Sequence, residues 1–411
     1  MLNLDELLYE RFIVPMEKRR RRHGPELVGM EAEYPLEAVH DASREAMRGL
    51  LPALCARHGF RPVSYWPGEP AVLSEVELPG AGVVSFDTSW HNLELAMAPV
   101  PDLFALKANY KLLLAAVQAE IAAGGAKLLF TGIHPEFRTL PPELLPDDEL
   151  PVECTMLRSF SGEDYHGYDG LFSFIASAQT HLDVVPDELP ALLNVFSALD
   201  FAECLLFADS AAVIGGKWRP CARLWLYEHC ALRTYGLSGG YDQPFASLPD
   251  IFADYRRRAI FVVRREGRCV ALPAPALLAA YFSRPEARAE DLESFYSYRH
   301  TELKPYGTIE RRVACAQVPG RTFQPTAFAL GVRHNAAAAG EAVARWRSGN
   351  GMTASNNELC QLAANEGMGA FPAGTYAMLL ELWEIAREGL RKRQRGEEVF
   401  LPEAGCPERC Q

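Results

Sequence analysis

The chain has 411 residues, of which 49% are hydrophobic and 23% charged, a composition typical of a globular protein with one large domain or two. Its net charge of -12 argues against a general nucleic-acid surface, because phosphate binding needs a basic face. No run of about 18 apolar residues and no signal-peptide pattern occurs. We therefore predict a cytoplasmic protein with no membrane or nucleic-acid partner.

The ten cysteines are scattered, which fits a reducing compartment. Cys406 and Cys410 form the one close pair, and no two further zinc ligands lie beside them. We interpret them as tail thiols without a structural role.

The pattern of apolar residues predicts the secondary structure in chain order. In the first part of the chain we expect a helix over 3–22, a strand over 26–34, a helix over 40–58, strands over 72–78, 82–88 and 92–98, a helix over 101–123 and a strand over 127–132. The connections between residues 72 and 98 are too short for parallel crossovers, so these three strands should form an antiparallel meander.

A Pro-rich loop over 135–151 separates this part from the second. There we expect a strand over 173–184, a buried helix over 188–208, an irregular region over 214–241, a hairpin over 259–263 and 269–272, a helix over 273–282, a strand over 308–315 and helices over 326–348, 355–366 and 374–394. This mixture predicts an α+β fold. Residues 1–321 should form the catalytic domain, and residues 322–411 a helical region packed on it.

Glu31 and Glu33 stand two residues apart in a predicted strand, which places both carboxylates on one face. Adjacent like charges destabilise a sheet unless a cation lies between them. A divalent metal ion or a metal-bound nucleotide is the obvious candidate. The alternative is a solvated sheet face that carries two surface glutamates.

Charged or polar residues recur on four further predicted strands. They are Asp87 and Glu94, then Gln179, His181 and Asp183, and finally Glu310 and Arg312. Such a sheet would enclose a polar, metal-binding cavity, and its oxygen ligands suit Mg²⁺ or Mn²⁺ better than Zn²⁺. Walker, dinucleotide-binding and kinase motifs are missing, so a nucleotide would be bound through metal ions and side chains.

In this order, the motifs resemble those of the glutamate–cysteine ligases, in their plant and proteobacterial branch. The matching segments are Gly29-Met-Glu31-Ala-Glu33, Ser85-Phe-Asp87, Asn92-Leu-Glu94-Leu-Ala96, Ser177-Ala-Gln179-Thr-His181-Leu-Asp183, Ala222-Arg223-Leu-Trp225 and Lys304-Pro-Tyr-Gly-Thr-Ile-Glu310-Arg-Arg312. They fall between about residues 26 and 316.

This resemblance implies a curved, mainly antiparallel sheet that forms a funnel-shaped active site with helices outside, as in glutamine synthetase and guanidino kinases. It also implies an ATP- and Mg²⁺-dependent carboxylate–amine ligase, with Mn²⁺ as a possible metal, that forms an amide through an acyl phosphate. The simplest reaction would join glutamate and cysteine to γ-glutamylcysteine, in glutathione biosynthesis.

The resemblance assigns three sets of site residues. The metal ligands would be Glu31, Glu33, Asp87, Glu94, Gln179 and Glu310. The nucleotide would contact Gln179, His181, Glu310 and Arg312. The catalytic residues would be Glu31, Arg312, which stabilises the transferred phosphoryl group, and Arg223, which binds the substrate carboxylate through its guanidinium fork.

Four features depart from the family pattern. Asp87 replaces a glutamate, His181 an asparagine and Cys315 an aspartate, and residues 88–92 replace a glycine-rich loop. The substrates therefore stay open between amino acids and a peptide carboxylate. Two further classes of protein fit the same residues, a ligase-like binding protein without turnover and a guanidine phosphotransferase.

Overall fold

The computed structural model describes residues 2–21, 24–38, 49–66, 71–87, 89–140, 171–266 and 268–403. Within these ranges the strands are β1 (Val28–Ala38), β2 (Arg61–Trp66), β3 (Val72–Leu78), β4 (Gly82–Phe86), β5 (Asn92–Val100), β6 (Ala126–Leu128), β7 (Ala178–Asp183), β8 (Ala212–Ile214), β9 (Lys217–Arg219), β10 (Ser238–Gly239), β11 (Ala259–Arg265), β12 (Arg268–Leu277), β13 (Tyr298–Arg299), β14 (Thr301–Lys304) and β15 (Thr308–Arg311).

The helices of the same ranges are α1 (Leu4–Leu8), α2 (Val14–Arg21), α3 (Leu50–His58), α4 (Leu103–Ala123), α5 (Leu189–Phe207), α6 (Ala222–His229), α7 (Leu248–Arg256), α8 (Leu278–Phe282), α9 (Gln324–Arg333), α10 (Ala336–Gly349), α11 (Asn356–Glu366) and α12 (Thr375–Lys392). A π-helical turn over Tyr9–Ile13 joins α1 to α2.

One antiparallel sheet of nine strands dominates the described part of the chain. Its strand order is β14-β15-β7-β1-β5-β4-β3-β2, and β6 pairs with the far end of β1. The strand pairs β8–β9, β10–β13 and β11–β12 form small separate sheets.

The central strand β1 shows why the sheet has one apolar and one polar face. Met30, Ala32 and Tyr34 are buried on the face against which α4 packs, and the Tyr34 and Tyr110 hydroxyls are 2.7 Å apart. Because strand side chains alternate, Glu31 and Glu33 point to the opposite face. The helices therefore cover one side of the sheet and leave the acidic side for the site.

The predicted α+β class is confirmed, and so is the antiparallel meander of β3, β4 and β5. The helix predicted over 273–282 is wrong in its first part, because β12 continues to Leu277 and pairs with β11. The single helix predicted over 326–348 is two helices that meet at His334 and Asn335. The predictions for residues 40–48, the 141–151 part of the loop, and Cys406 and Cys410 lie outside the described residues.

The helices after residue 322 pack on the rest of the fold. Helix α11 contacts α5, and α9 contacts β7. The Glu397 carboxylate accepts a hydrogen bond of 2.8 Å from the backbone N–H of Leu103, and Arg393 forms an ion pair with Glu26. The boundary at residues 321 and 322 stays a prediction.

One segment in the described ranges, Pro186–Phe207, is long and apolar enough to cross a membrane by length and composition alone. Within the fold, 67% of its most apolar window is buried. It also carries Asp200 and Glu203, which form ion pairs with Arg311. These contacts are those of a core helix.

Candidate active site

A cavity of about 440 Å³ lies over the polar face of the sheet. Its lining brings together the predicted site residues Glu31, Glu33, Asp87, Glu94, Gln179, His181, Glu310 and Arg312. They come from β1, β5, β7, β15 and the chain segments that directly follow β4 and β15. Segments that are far apart in sequence thus converge on one site.

The pairing register explains this convergence. Glu31 lies opposite Gln179, Glu33 opposite Glu94, and Glu310 opposite His181. Directly opposed residues of antiparallel strands point to the same face. Gly29, opposite His181, leaves room for the histidine, because a Cβ atom there would lie 3.3 Å from the His181 Cβ.

Glu33 is a carboxylate whose burial opposes its charge. It is 6% exposed and lies directly opposite a second glutamate, Glu94. Burial raises the pKa of Glu33, although hydrogen bonds from the backbone N–H of Ser177 (2.7 Å) and from the Gln179 amide favour the ionised form. Ionisation of Glu33 therefore lowers the stability of the folded protein when no metal ion is bound, and a bound cation would remove that cost.

Glu31, His181 and Glu310 form a compact cluster whose three ligand atoms lie within 4.8 Å of one another. The His181 Nε2 is 2.9 Å from Glu31 Oε1 and 3.6 Å from Glu310 Oε1. Burial alone would raise the pKa of Glu31, but the charge and hydrogen bond of His181 outweigh it and lower that pKa.

Two cations hold Glu310. Arg312 Nη2 is 2.6 Å from its Oε2 atom, and Lys304 Nζ is 3.0 Å from its Oε1 atom. Burial opposes ionisation, yet Arg312, Lys304 and His181 lower the pKa of Glu310 to about 2. Glu310 is therefore a permanently charged carboxylate at physiological pH.

The cluster fits a divalent metal ion. It offers two carboxylates and an imidazole, and the neighbouring Gln179 is 4% exposed with no hydrogen-bond partner for its Oε1 atom among the described residues. Buried polar atoms seldom stay unpartnered, so this oxygen suits a ligand. Oxygen ligands favour Mg²⁺ and Mn²⁺, and the imidazole shifts the preference towards Mn²⁺.

Replacing His181 by glutamine should weaken Mn²⁺ binding about 10-fold or more, because metal affinity falls by at least this factor when a ligand or its supporting partner is removed. Electron paramagnetic resonance measures this directly, since it reports the Mn²⁺ that remains in solution. His58→Gln is the matched control, because His58 pairs with Glu120 outside the cavity lining. Equal Mn²⁺ affinity in wild type and His181→Gln would contradict a ligand role for His181.

Arg223 is the one predicted site residue that the cavity lining does not include. It is 2% exposed, and its Nη2 donates hydrogen bonds to the carbonyls of Arg312, Val313 and Ala314 at 2.6–2.8 Å. These contacts position the segment that carries Arg312, and the role of Arg223 in binding a substrate carboxylate stays a prediction.

Behind the cavity, a buried ionic network supports β14 and β15. His300 lies between Asp200 and Glu228, with 2.9 Å from each ring nitrogen to a carboxylate oxygen, and Asp200 also pairs with Arg311 at 2.8 Å. Burial disfavours the imidazolium, but the two carboxylates raise the pKa of His300 to about 10. Because Arg311 stands between Glu310 and Arg312, the network fixes the strand that carries them.

Sequence reasoning missed several residues of the cavity wall. They are Arg11, Phe12, Glu293, Phe295 and Tyr296, together with Lys304 and Tyr306, which stand in a quoted motif without an assigned role. The aromatic residues at 295–298 could have been recognised from the sequence, since they lie shortly before the Lys304–Arg312 motif. Arg11 could not, because helical periodicity treats it as a solvent-exposed residue.

No protein-family model and no curated protein matches the chain. Among solved structures, the fold is similar to glutamate–cysteine ligase from Francisella tularensis in complex with AMP, with 13% identity, a TM-score of 0.49, and coverage of 94% of this chain and 84% of that one. It is also similar to PafA, the ligase of the ubiquitin-like protein Pup, in complex with Pup (12% identity, TM-score 0.39, 92% and 59% coverage). A third is a bifunctional glutathione synthetase from Pasteurella multocida (13% identity, TM-score 0.44, 94% and 51% coverage). The glutamate–cysteine ligases, which the sequence motifs resemble, are thus also represented among the solved structures of similar fold.

Proposed function

We propose that the chain is an ATP- and divalent-metal-dependent carboxylate–amine ligase. The observation that carries the proposal is the convergence of Glu31, Glu33, Glu94, His181 and Glu310 on one cavity. Carboxylates that share one sheet face repel one another unless cations lie between them. Burial, which raises the pKa of Glu33, adds to the cost of its charge. A metal-bound polyphosphate is the substrate class that matches this charge pattern.

In the proposed reaction, an oxygen of the substrate carboxylate attacks the γ-phosphorus of ATP, and ADP leaves. The amine then attacks the acyl carbon, loses a proton, and displaces phosphate to give the amide. Phosphoryl transfer needs positioning and charge neutralisation more than covalent help from the protein. A bound divalent ion would neutralise phosphate charge, and the carboxylates and His181 are the residues that would hold it.

Arg312 is the residue of this chain best suited to the transferred group. It is 7% exposed, it lines the cavity, and both its Nε and Nη2 atoms donate to Glu310 Oε2, at 3.0 and 2.6 Å. Glu310 thus fixes the guanidinium plane, and the remaining N–H groups are available for phosphate oxygens. Arg223 stabilises this arrangement from behind through the carbonyl of Arg312.

The simplest substrates within this proposal are glutamate and cysteine, in the cytoplasm and in glutathione biosynthesis. The motif resemblance supports them. The replacement of the family's glycine-rich loop at residues 88–92 leaves a different amine or a peptide carboxylate as the second candidate.

Hydroxylamine trapping tests the reaction class even while the natural amine is unidentified. Protein, ATP and Mg²⁺ or Mn²⁺ are incubated with hydroxylamine and one carboxylate at a time, including glutamate and short peptides with a terminal carboxylate. A ligase should convert one of them to its hydroxamate, with one ADP per product. Phosphorylation of a guanidine compound with no hydroxamate would instead indicate a guanidine phosphotransferase, and no ATP turnover with any carboxylate would contradict the ligase proposal.

A further inference from the structure

Arg11 reaches the cavity from an element that lies outside the sheet. It belongs to the π-helical turn between α1 and α2, and both Arg11 and Phe12 line the cavity. Single π-helical turns shift the side chains that follow them around the helix, and they often occur at functional sites. Here the turn brings a guanidinium to the end of the site near β14.

Two contacts hold this turn in place. The Phe12 ring packs 5.2 Å from that of Tyr255. Gly307, in the turn between β14 and β15, has a φ of +81°, and a Cβ atom there would lie 2.8 Å from the Pro15 backbone. The N-terminal helix and the β14–β15 turn therefore touch closely, so the position of Arg11 is built into the fold.

The cations of the cavity differ in how their charges are balanced. Lys304 and Arg312 both pair with Glu310. Arg11 has no ion pair or hydrogen bond with the described residues, and its Nε is buried without a partner. A partly buried guanidinium without a carboxylate partner is costly, unless a ligand supplies the missing anion.

The surroundings of Arg11 show what kind of ligand fits. Burial lowers the pKa of Arg11, and the negative charge of Glu293 opposes this effect without an ion pair between the two. Phe295 and Tyr296 also line the cavity, and the Phe295 ring lies 5.8 Å from that of Tyr255. This is an arginine fork among aromatic rings, the arrangement that suits a planar or tetrahedral oxyanion.

We propose that Arg11 binds an oxyanion of a substrate in this cavity. The chemistry is shared by a phosphate of the nucleotide and by a carboxylate of the acceptor. The inference rests on the proposed function for the identity of these substrates, and it adds a residue that lies outside the motif set.

Isothermal titration calorimetry separates the two sources. The probes are ADP with Mn²⁺, and the carboxylate that reacts in the trapping experiment, or glutamate if several react. Arg11→Gln should weaken the binding of one probe about 10-fold or more and leave the other unchanged, because a charge-assisted hydrogen bond is lost at one subsite only. Arg11→Lys should bind that probe with intermediate affinity, since it retains the charge but not the fork.

Arg21→Gln is the matched control, because Arg21 lies on the same helical segment and its side chain is 75% exposed. Arg11→Gln should melt at or above the wild-type temperature, because the substitution removes a partly buried charge that has no ion pair and loses only the contact of Arg11 with the Phe12 ring. Wild-type affinity of Arg11→Gln for both probes would overturn the inference and leave the proposed function intact. A wild-type protein that binds neither probe would overturn both, and a large fall in melting temperature with unchanged affinities would make Arg11 a packing residue.

Discussion

Replacing Glu33 by glutamine is expected to raise the melting temperature of the metal-free protein and to lower ligase turnover at least about 100-fold. Burial raises the pKa of Glu33, so its ionised form is less favourable in the folded protein than in the unfolded chain when no metal ion is bound. Glutamine removes that cost and also removes a negative charge from the cavity lining. Opposite effects on stability and activity are typical of residues kept for function.

The contacts of Glu33 allow this substitution without a steric or polar clash. The Glu33 carboxylate accepts hydrogen bonds from the backbone N–H of Ser177 and from the Gln179 amide. A glutamine oxygen can retain the first contact. Rotation of the Gln179 amide turns its unpartnered Oε1 atom towards the new NH₂ group, so the second contact is exchanged rather than lost.

The pH dependence of stability checks the sign of this effect. Because the folded-state pKa of Glu33 is raised, its contribution to stability is fully present below the unfolded pKa and lost as pH rises through the folded value. The difference in melting temperature between Glu33→Gln and wild type should therefore be largest at neutral pH and vanish in acid. Glu77→Gln, on the exposed face of β3, is the control. A destabilised variant with full turnover would contradict this account.

Replacing Asp200 by asparagine is expected to lower the free energy of unfolding by about 3–5 kcal/mol, the cost of breaking a buried ion pair on one side only. Asp200 is 1% exposed and pairs with both His300 and Arg311, each 2% exposed. Asparagine leaves two buried cations with less compensation. Urea unfolding measures the change.

Asp187→Asn is the matched control, because the Asp187 side chain is 83% exposed and its pair with Arg20 should contribute at most about 1 kcal/mol. Turnover of Asp200→Asn should also fall under conditions where the variant stays folded, because Arg311 lies between Glu310 and Arg312 in the chain. A loss of less than about 1 kcal/mol for Asp200→Asn would show that the network contributes little.

The sequence is sufficient to predict which cavity residues share a sheet face when strand alternation and short strand connections fix their positions. The two-residue spacing of Glu31 and Glu33, and of Gln179 and His181, places each pair on one sheet face whatever the rest of the fold does. The antiparallel meander then requires Glu94 to return to the same region. For these residues, alternation and short connections contain all the necessary information.

Other features depend on contacts that sequence patterns do not contain. The Ala- and Leu-rich segment before Leu277 reads as a helix, but pairing with β11 makes it a strand. The hydrogen bonds of Arg223 to three backbone carbonyls 89 to 91 residues away are not visible in the local sequence. Arg11 depends on a π-helical turn, which helical periodicity does not predict. In each case the local sequence is compatible with more than one structure, and contacts with distant parts of the chain determine which one forms.

The central claim is tested most directly by phosphate release from ATP. The protein is incubated with Mg²⁺ or Mn²⁺, glutamate and a panel of amines that includes cysteine, and Glu31→Gln is the control. We expect phosphate release that requires both a carboxylate and an amine and falls at least about 100-fold in Glu31→Gln. Dependence on cysteine would identify γ-glutamylcysteine as the product, and dependence on another amine would retain the mechanism with a different acceptor. Release that is equal in Glu31→Gln, or that requires no carboxylate, would contradict the account.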